Sequence, residues 1–99
     1  MPLSYAIEKC SIAIGHAMTD PRDLGTRVGL AWDDALRHVN RSDFPTDELS
    51  EWHEQLSKKL GGAAAPNAAA AIAIMSDDDI AETMDLIRDL CLRTVKAKP

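Results

Sequence analysis

The sequence predicts an all-α protein, a compact bundle of four main helices plus a short Ala-rich helix. Three observations carry this expectation. Apolar residues recur at spacings of three and four along most of the chain. Ser, Asp, Pro and Gly stand where helices need to start and stop. The one alternating stretch, Ile72-Ala73-Ile74, would be a strand without a partner, so it reads better as helix. A chain of 99 residues is one domain by length, spanning 1–99. At this size roughly 60–70% of the unfolded surface can be buried, enough for a core without staples.

The first helix is expected over 3–18, opened by Pro2 or Ser4. Leu3, Ile7, Cys10, Ile14 and Met18 share its inner face, with Ala6 and Ala17 beside them. Tyr5, Lys9, Ile12 and His16 lie on the far side. Two of these four are large and apolar, where a monomeric bundle would place polar residues.

The second helix is expected over 21–39, with Asp20 as cap and Pro21 at the first helical position. Leu24, Val28, Ala31, Ala35 and Val39 form its inner face, flanked by Trp32 and Leu36, while Leu30 points away. Gly25 and Gly29 stand four apart at the edge of that face. Two readings stand for them, close approach of the Ala-rich helix or simple tolerance of glycine.

Phe44 precedes Pro45 and should therefore leave the helical region and anchor on the core. The third helix follows over 45–60, with Leu49, Trp52, His53, Leu56 and Leu60 inward and Glu54–Lys58 as an i,i+4 pair. Gly61-Gly62 ends it. In 63–75, eight of thirteen residues are alanine, so each buries little area and a second subunit would help to cover it. Pro66 splits this stretch into a flexible link at 63–65 and a short helix over 68–75, capped by Asn67.

The last helix, 77–96, has the clearest signals. Ser76 is the cap, with Asp79 three residues on as a capping-box variant. Asp77, Asp78 and Asp79 favour its start, and Arg93, Lys96 and Lys98 favour its end. Ile80, Met84, Ile87, Cys91 and Val95 share one face, widened by Leu86 and Leu90 on one side and by Ala81 and Leu92 on the other. So wide an arc expects two or three neighbouring helices. Asp89–Arg93 is a further i,i+4 pair.

The formal net charge is −5, with no basic run. Phosphate neutralisation supplies most nucleic-acid affinity, so neither nucleic acid nor an anionic membrane surface is an expected partner. The opening residues lack a basic stretch followed by an apolar one, so no signal peptide is read. With Cys10 and Cys91 on apolar faces, reduced buried thiols in a cytoplasm are the simplest expectation, although two cysteines leave a disulfide open.

The residues point away from enzyme chemistry. His16, His38 and His53 make no zinc spacing with one another or with a cysteine. Asp34 and His38 are four apart and could hydrogen-bond, but no nucleophile can be tied to them. Asp77-Asp78-Asp79 lacks the spacing and glycine of a calcium loop. Asp33 and Asp34 point about 100° apart on a helix, which is wrong for a shared metal. No cofactor motif is present, so no catalytic, cofactor-binding or metal residue is assigned.

Two binding readings remain. Tyr5, Ile12, His16 and Leu30 are a candidate interface, either exposed for a partner or buried by the bundle wrapping around them. They suggest a non-enzymatic protein–protein interaction module or subunit, a homodimer in its simplest form. The alternative is a small ligand-binding or regulatory protein with a pocket near Trp32, Trp52 and His53.

Finally, Leu3-Ser4-Tyr5-Ala6, the Asp43-Phe44-Pro45 step and the run from Ala73 to Asp79 resemble a group of small proteobacterial all-helical proteins of about 100 residues. The resemblance implies a compact helical protein of a bacterial cytoplasm and no particular activity. The alanine run from Ala63 to Ala71 is richer than the group's pattern.

Overall fold

A computed structural model describes residues 2–19, 22–62 and 65–97. The helices are α1 (Pro2–Thr19), α2 (Leu24–Asp33), α3 (Asp47–Lys59), α4 (Ala69–Ala73) and α5 (Asp77–Lys96). Two 3₁₀ turns, Leu36–His38 and Arg41–Asp43, link α2 to α3. No strand occurs among the described residues, and the all-α class expected from the sequence is the class observed. None of these helices is long and apolar enough to cross a membrane. The radius of gyration, 12.4 Å, is that of a compact domain of this length.

α5 is the element the others pack around. It contacts α1, α2 and α3, as its wide apolar arc predicts. Ser76 caps it through Oγ, which accepts from the Asp79 N–H at 3.1 Å. The three aspartates fill the first turn, and Arg93 and Lys96 fill the last; Lys98 lies outside the described residues. Its fully buried side chains are Thr83, Ile87, Leu90, Cys91 and Thr94. Each buried threonine satisfies its hydroxyl locally: Thr83 donates to Asp79 O at 2.7 Å and Thr94 to Leu90 O at 2.8 Å. Ala81 and Leu92, expected to widen the inner face, are exposed instead.

α1 corrects the expectation most sharply. Its buried stripe is Ala6, Cys10, Ala13 and Ala17. Leu3, Ile7 and Ile14 are only half-buried, and Met18 is 67% exposed. Small side chains let α1 lie close against α5, and that approach selects the face that turns inward. Cys10 and Cys91 meet across this contact, both free and buried. The hydrogen bond with Cys10, and then burial, push the Cys91 thiol above its ordinary range.

α2 is shorter at both ends than the expected 21–39. Asp20 and Pro21 lie outside the described residues. The observed cap is Asp23, whose Oδ1 accepts from the Thr26 N–H at 2.7 Å. Hydrogen bonds from Thr26, backbone first, hold the Asp23 carboxyl below its usual range. The helix stops at Asp33, and Ala35 (φ −132°, ψ −74°) leaves the helical region. Ala35, Leu36 and Val39 are nevertheless buried, because the 3₁₀ turn keeps them facing the core.

α3 begins two residues later than expected. Thr46 is its cap, with Oγ1 accepting from the Leu49 N–H at 3.2 Å. Phe44 is extended (φ −80°, ψ 149°) and buried, as its place before proline predicts. At the far end Gly61 (φ 103°) and Gly62 (φ 79°) take left-handed conformations. The Gly62 N–H donates to Ser57 O at 2.7 Å, closing a Schellman turn.

Of the expected 63–65 link, Ala63 and Ala64 lie outside the described residues. α4 occupies only Ala69–Ala73 of the expected 68–75, because Ser76 must be extended (φ −70°, ψ 163°) to cap α5. Asn67 Oδ1 accepts from the Ala69 N–H at 3.0 Å. The Asp33 carboxylate accepts from the Ala68 N–H, 3.2 Å from each oxygen, and holds the start of α4 on the end of α2. A Cβ on Gly25 would lie 3.2 Å from Ile72 Cγ2, and one on Gly29 3.3 Å from Ile72 Cδ1. Of the two readings for these glycines, close approach of the Ala-rich helix is the one the structure supports.

Candidate functional site

Two regions stand apart from routine core and surface. One is the outer side of α1 and the groove beside it. The other is a cavity where the 3₁₀ turns meet α3.

On α1, Tyr5 and Ile12 are each 38% exposed. The Lys9 ammonium lies 5.4 Å from the centre of the Tyr5 ring. His16 is half-buried, and its Nε2 lies 3.3 Å from an Asp34 oxygen. The Asp34–His38 pair considered from sequence does not form this contact. The helix ends between the two residues, His38 sits exposed in the 3₁₀ turn, and Asp34 turns to His16. Leu30 stands one turn before Asp34, half-buried, on a shallow groove between α2 and α4.

The groove beside α1 runs between α1, α2 and α5, and sequence reasoning missed it. Ile14, Met18, Leu24, Met84 and Leu92 line an apolar hollow of about 180 Å³. Arg27 and Arg88 also border it. Arg27 gives an Nη1 hydrogen to Ala17 O at 3.0 Å, while its buried Nε has no partner among the described residues. Arg88 reaches Asp85 at 3.4 Å and Asp89 at 3.5 Å. The available signal was Met18 and Leu92, two large apolar residues near helix edges whose exposure depends on crossing geometry.

The cavity at the 3₁₀ turns is about 370 Å³ and open to solvent. Trp32, 2% exposed, and His53 are part of its wall, with ring centroids 5.2 Å apart. Phe44 backs the imidazole from 5.0 Å. His53 Nε2 is 2.8 Å from Leu36 O. A carbonyl can only accept, so Nε2 carries the proton and, in the neutral ring, Nδ1 carries the lone pair. Burial pushes the His53 pKa below its ordinary value, against the opposing effect of the Leu36 carbonyl. The 3₁₀ turn is fixed to α3 by Ser50 Oγ, which donates to Arg41 O at 2.7 Å, and by the Arg41–Glu54 ion pair at 3.0 Å. Arg37 and Arg41 both line the cavity. The Trp32 Nε1–H is buried with no partner among the described residues.

Of the expected pocket residues, Trp32 and His53 come together and Trp52 does not. Trp52 is half-buried under the Arg93 guanidinium, 4.8 Å from the ring centre, and is not part of the cavity wall. Arg93 also pairs with Glu48 at 2.7 Å. These contacts replace two expected i,i+4 pairs. Glu54 is held by Arg41 where Lys58 was expected, and Arg93 by Glu48 where Asp89 was expected.

Comparison with protein-family models, with curated proteins and with solved structures finds no match for this chain.

Proposed function

We propose that the chain is a non-enzymatic interaction module that docks through α1, onto a second copy of itself. One observation carries this reading. α1 turns only alanines and a cysteine fully inward, and leaves Tyr5, Ile12 and Met18 exposed and Leu3, Ile7 and Ile14 half-buried. A helix that spends its small residues on the core and its large apolar ones on the surface buries little area alone. Covering that surface removes apolar area from water at roughly 25 cal/mol per Å². Met18 and Met84 at the groove add adaptable side chains of the kind common at docking surfaces.

Self-docking suits the charge distribution. The protein carries net −5, yet α1 contains one acid, Glu8, and one base, Lys9. Two copies facing each other through α1 bring no net charge together, and a two-fold arrangement allows Glu8 of each to approach Lys9 of the other.

Light scattering after size exclusion tests the reading. The expected result is a dimer that Ile12→Lys and Met18→Lys each convert to monomer with helical circular dichroism unchanged. A monomer at high micromolar concentration would sink self-docking. A dimer indifferent to both substitutions would place the interface elsewhere.

A further inference from the structure

We propose that the second copy lies antiparallel on α1, with Tyr5 of each chain packed beside Gly15 of the other. This inference rests on docking through α1 and fixes its orientation and register.

The first observation is a glycine that the monomer does not explain. Gly25 and Gly29 face Ile72, and Gly61 and Gly62 take left-handed conformations. Gly15 does neither. It lies inside α1, and a Cβ built on it would meet nothing within 4 Å. Glycine weakens a helix interior relative to alanine, so packing within the chain gives no reason to prefer it there. What the missing Cβ admits is a large side chain arriving from outside.

The second observation is the pattern around that glycine. Tyr5, Glu8, Ile12, Gly15 and Thr19 recur at spacings of three, four, three and four, which lays one seam along a helix. Tyr5, Glu8, Ile12 and Thr19 are all exposed. Thr19 Oγ1 donates to Gly15 O at 2.6 Å, and Ser11 Oγ, beside the seam, donates to Ile7 O at 2.9 Å. The buried Thr83 and Thr94 satisfy their hydroxyls in the same way, so covering this side of α1 strands neither hydroxyl hydrogen.

Charge and size then choose the orientation. Glu8 is the one charged residue of the seam. A parallel pair sets each seam residue against its own copy, carboxylate against carboxylate and Tyr5 against Tyr5. A two-fold axis across the helices, level with Cys10, reverses one chain and keeps each flank on its own side. Tyr5 then packs beside the partner's Gly15, and Ile12 beside the partner's Glu8. The largest residue of the seam meets the smallest, once in each direction. Along the helix axis, Glu8 stands about 4.5 Å from the level of the partner's Lys9, so the carboxylate gains a cation. That lysine's ammonium is the one held near the Tyr5 ring, 5.4 Å from its centre.

Sedimentation equilibrium of the parent, Gly15→Leu, Tyr5→Ala and the double variant tests the register. The parent is expected to dimerise. Gly15→Leu, which puts a side chain where Tyr5 packs, loosens the dimer at least about tenfold. Tyr5→Ala alone loosens it several-fold. In the double variant the leucine fills the space Tyr5 has left, and the dimer is no weaker than that of Tyr5→Ala. Helical circular dichroism of each monomer is unchanged, because the space at Gly15 is open. Gly15→Ala repeats the comparison with one methyl: the monomer melts higher and the dimer is still looser than the parent's, which decides the matter should the leucine disturb folding. A Gly15→Leu or Gly15→Ala dimer as tight as the parent's overturns the register, and so does an equal loss from Gly15→Leu with and without Tyr5. Docking through α1 survives either result if Ile12→Lys still gives a monomer. A parent that stays monomeric at high micromolar concentration overturns the docking and the register together.

Discussion

The Cδ1 methyl of Ile72 lies 3.3 Å from the point where a side chain on Gly29 would begin. The glycine and the isoleucine are therefore one packing unit joining α2 to α4. Gly29 stands inside a helix, where alanine would be favoured by about 1 kcal/mol, and Ile72 is the reason alanine brings no such gain. Gly29→Ala should stay within about 0.5 kcal/mol of the parent, the helix gain offset by the tight contact. Ile72→Ala should destabilise by about 1–2 kcal/mol, toward the low end for a buried isoleucine because the side chain is half-buried. With both changes, Gly29→Ala should recover about 0.5–1 kcal/mol, since the space is then open. Urea unfolding of the four proteins measures the cycle, and strict additivity would show that the two residues do not interlock.

His53 makes stability depend on pH in a stated direction. Burial lowers its pKa in the folded protein, while the unfolded chain titrates near the ordinary value of about 6.5. Between those two values the unfolded chain binds more protons, so stability rises with pH there. The His53 contribution is complete above about pH 6.5 and is lost as pH falls through 6.5 toward the folded value. His53→Gln offers a donor to Leu36 O and cannot titrate. Thermal melts of both proteins between about pH 7.5 and 5 should show the parent losing stability relative to the variant on acidification. Parallel curves would refute the role given to this imidazole.

The Glu48–Arg93–Trp52 cluster ties α3 to α5 at the surface. Its two contacts differ in strength. Glu48 and Arg93 are each more than half exposed, so their ion pair is worth only about 0.2–1 kcal/mol. The guanidinium on the indole adds about 0.5–1 kcal/mol and covers part of the ring. Arg93→Ala should thus cost about 1–1.5 kcal/mol and redshift Trp52 emission, and Glu48→Gln no more than about 0.5 kcal/mol. High salt should erase the second effect and leave most of the first. Equal losses in the two variants would show that charge pairing, not stacking, holds the cluster.

How much was legible in the sequence depends on whether the signal was local. Ser76 and the three aspartates act within one turn of their own backbone, and α5 occupies the span they mark. Gly61 and Gly62 act equally locally. The second helix was overextended because periodicity reports which residues face inward, not whether the backbone is continuous. Leu36 and Val39 stay buried through a 3₁₀ turn, so the apolar pattern passes over the break at Ala35 unaltered. The inner face of α1 was misassigned for a different reason. Side-chain size ranks Met18 above Ala13 for burial, but a close helix crossing ranks them the other way. The cavity was half legible: Trp32 and His53 share the core side of their helices. Trp52 is adjacent to His53 and so points about 100° away, toward α5.

The packing of α1 on α5 also has a consequence in time. α1 packs on α2 as well as on α5, and α2 follows it directly, whereas the contact with α5 cannot form until residues 77–96 have been synthesised. At about 5–20 residues per second, that interval lasts several seconds on a translating ribosome. Throughout it, the part of α1 that awaits α5 faces solvent, as do Tyr5, Ile12 and Met18, which stay exposed in the finished monomer. Nascent chains on one message hold such helices at high local concentration. The side of α1 that stays exposed in the finished fold is also the one available to a neighbouring chain before that fold closes.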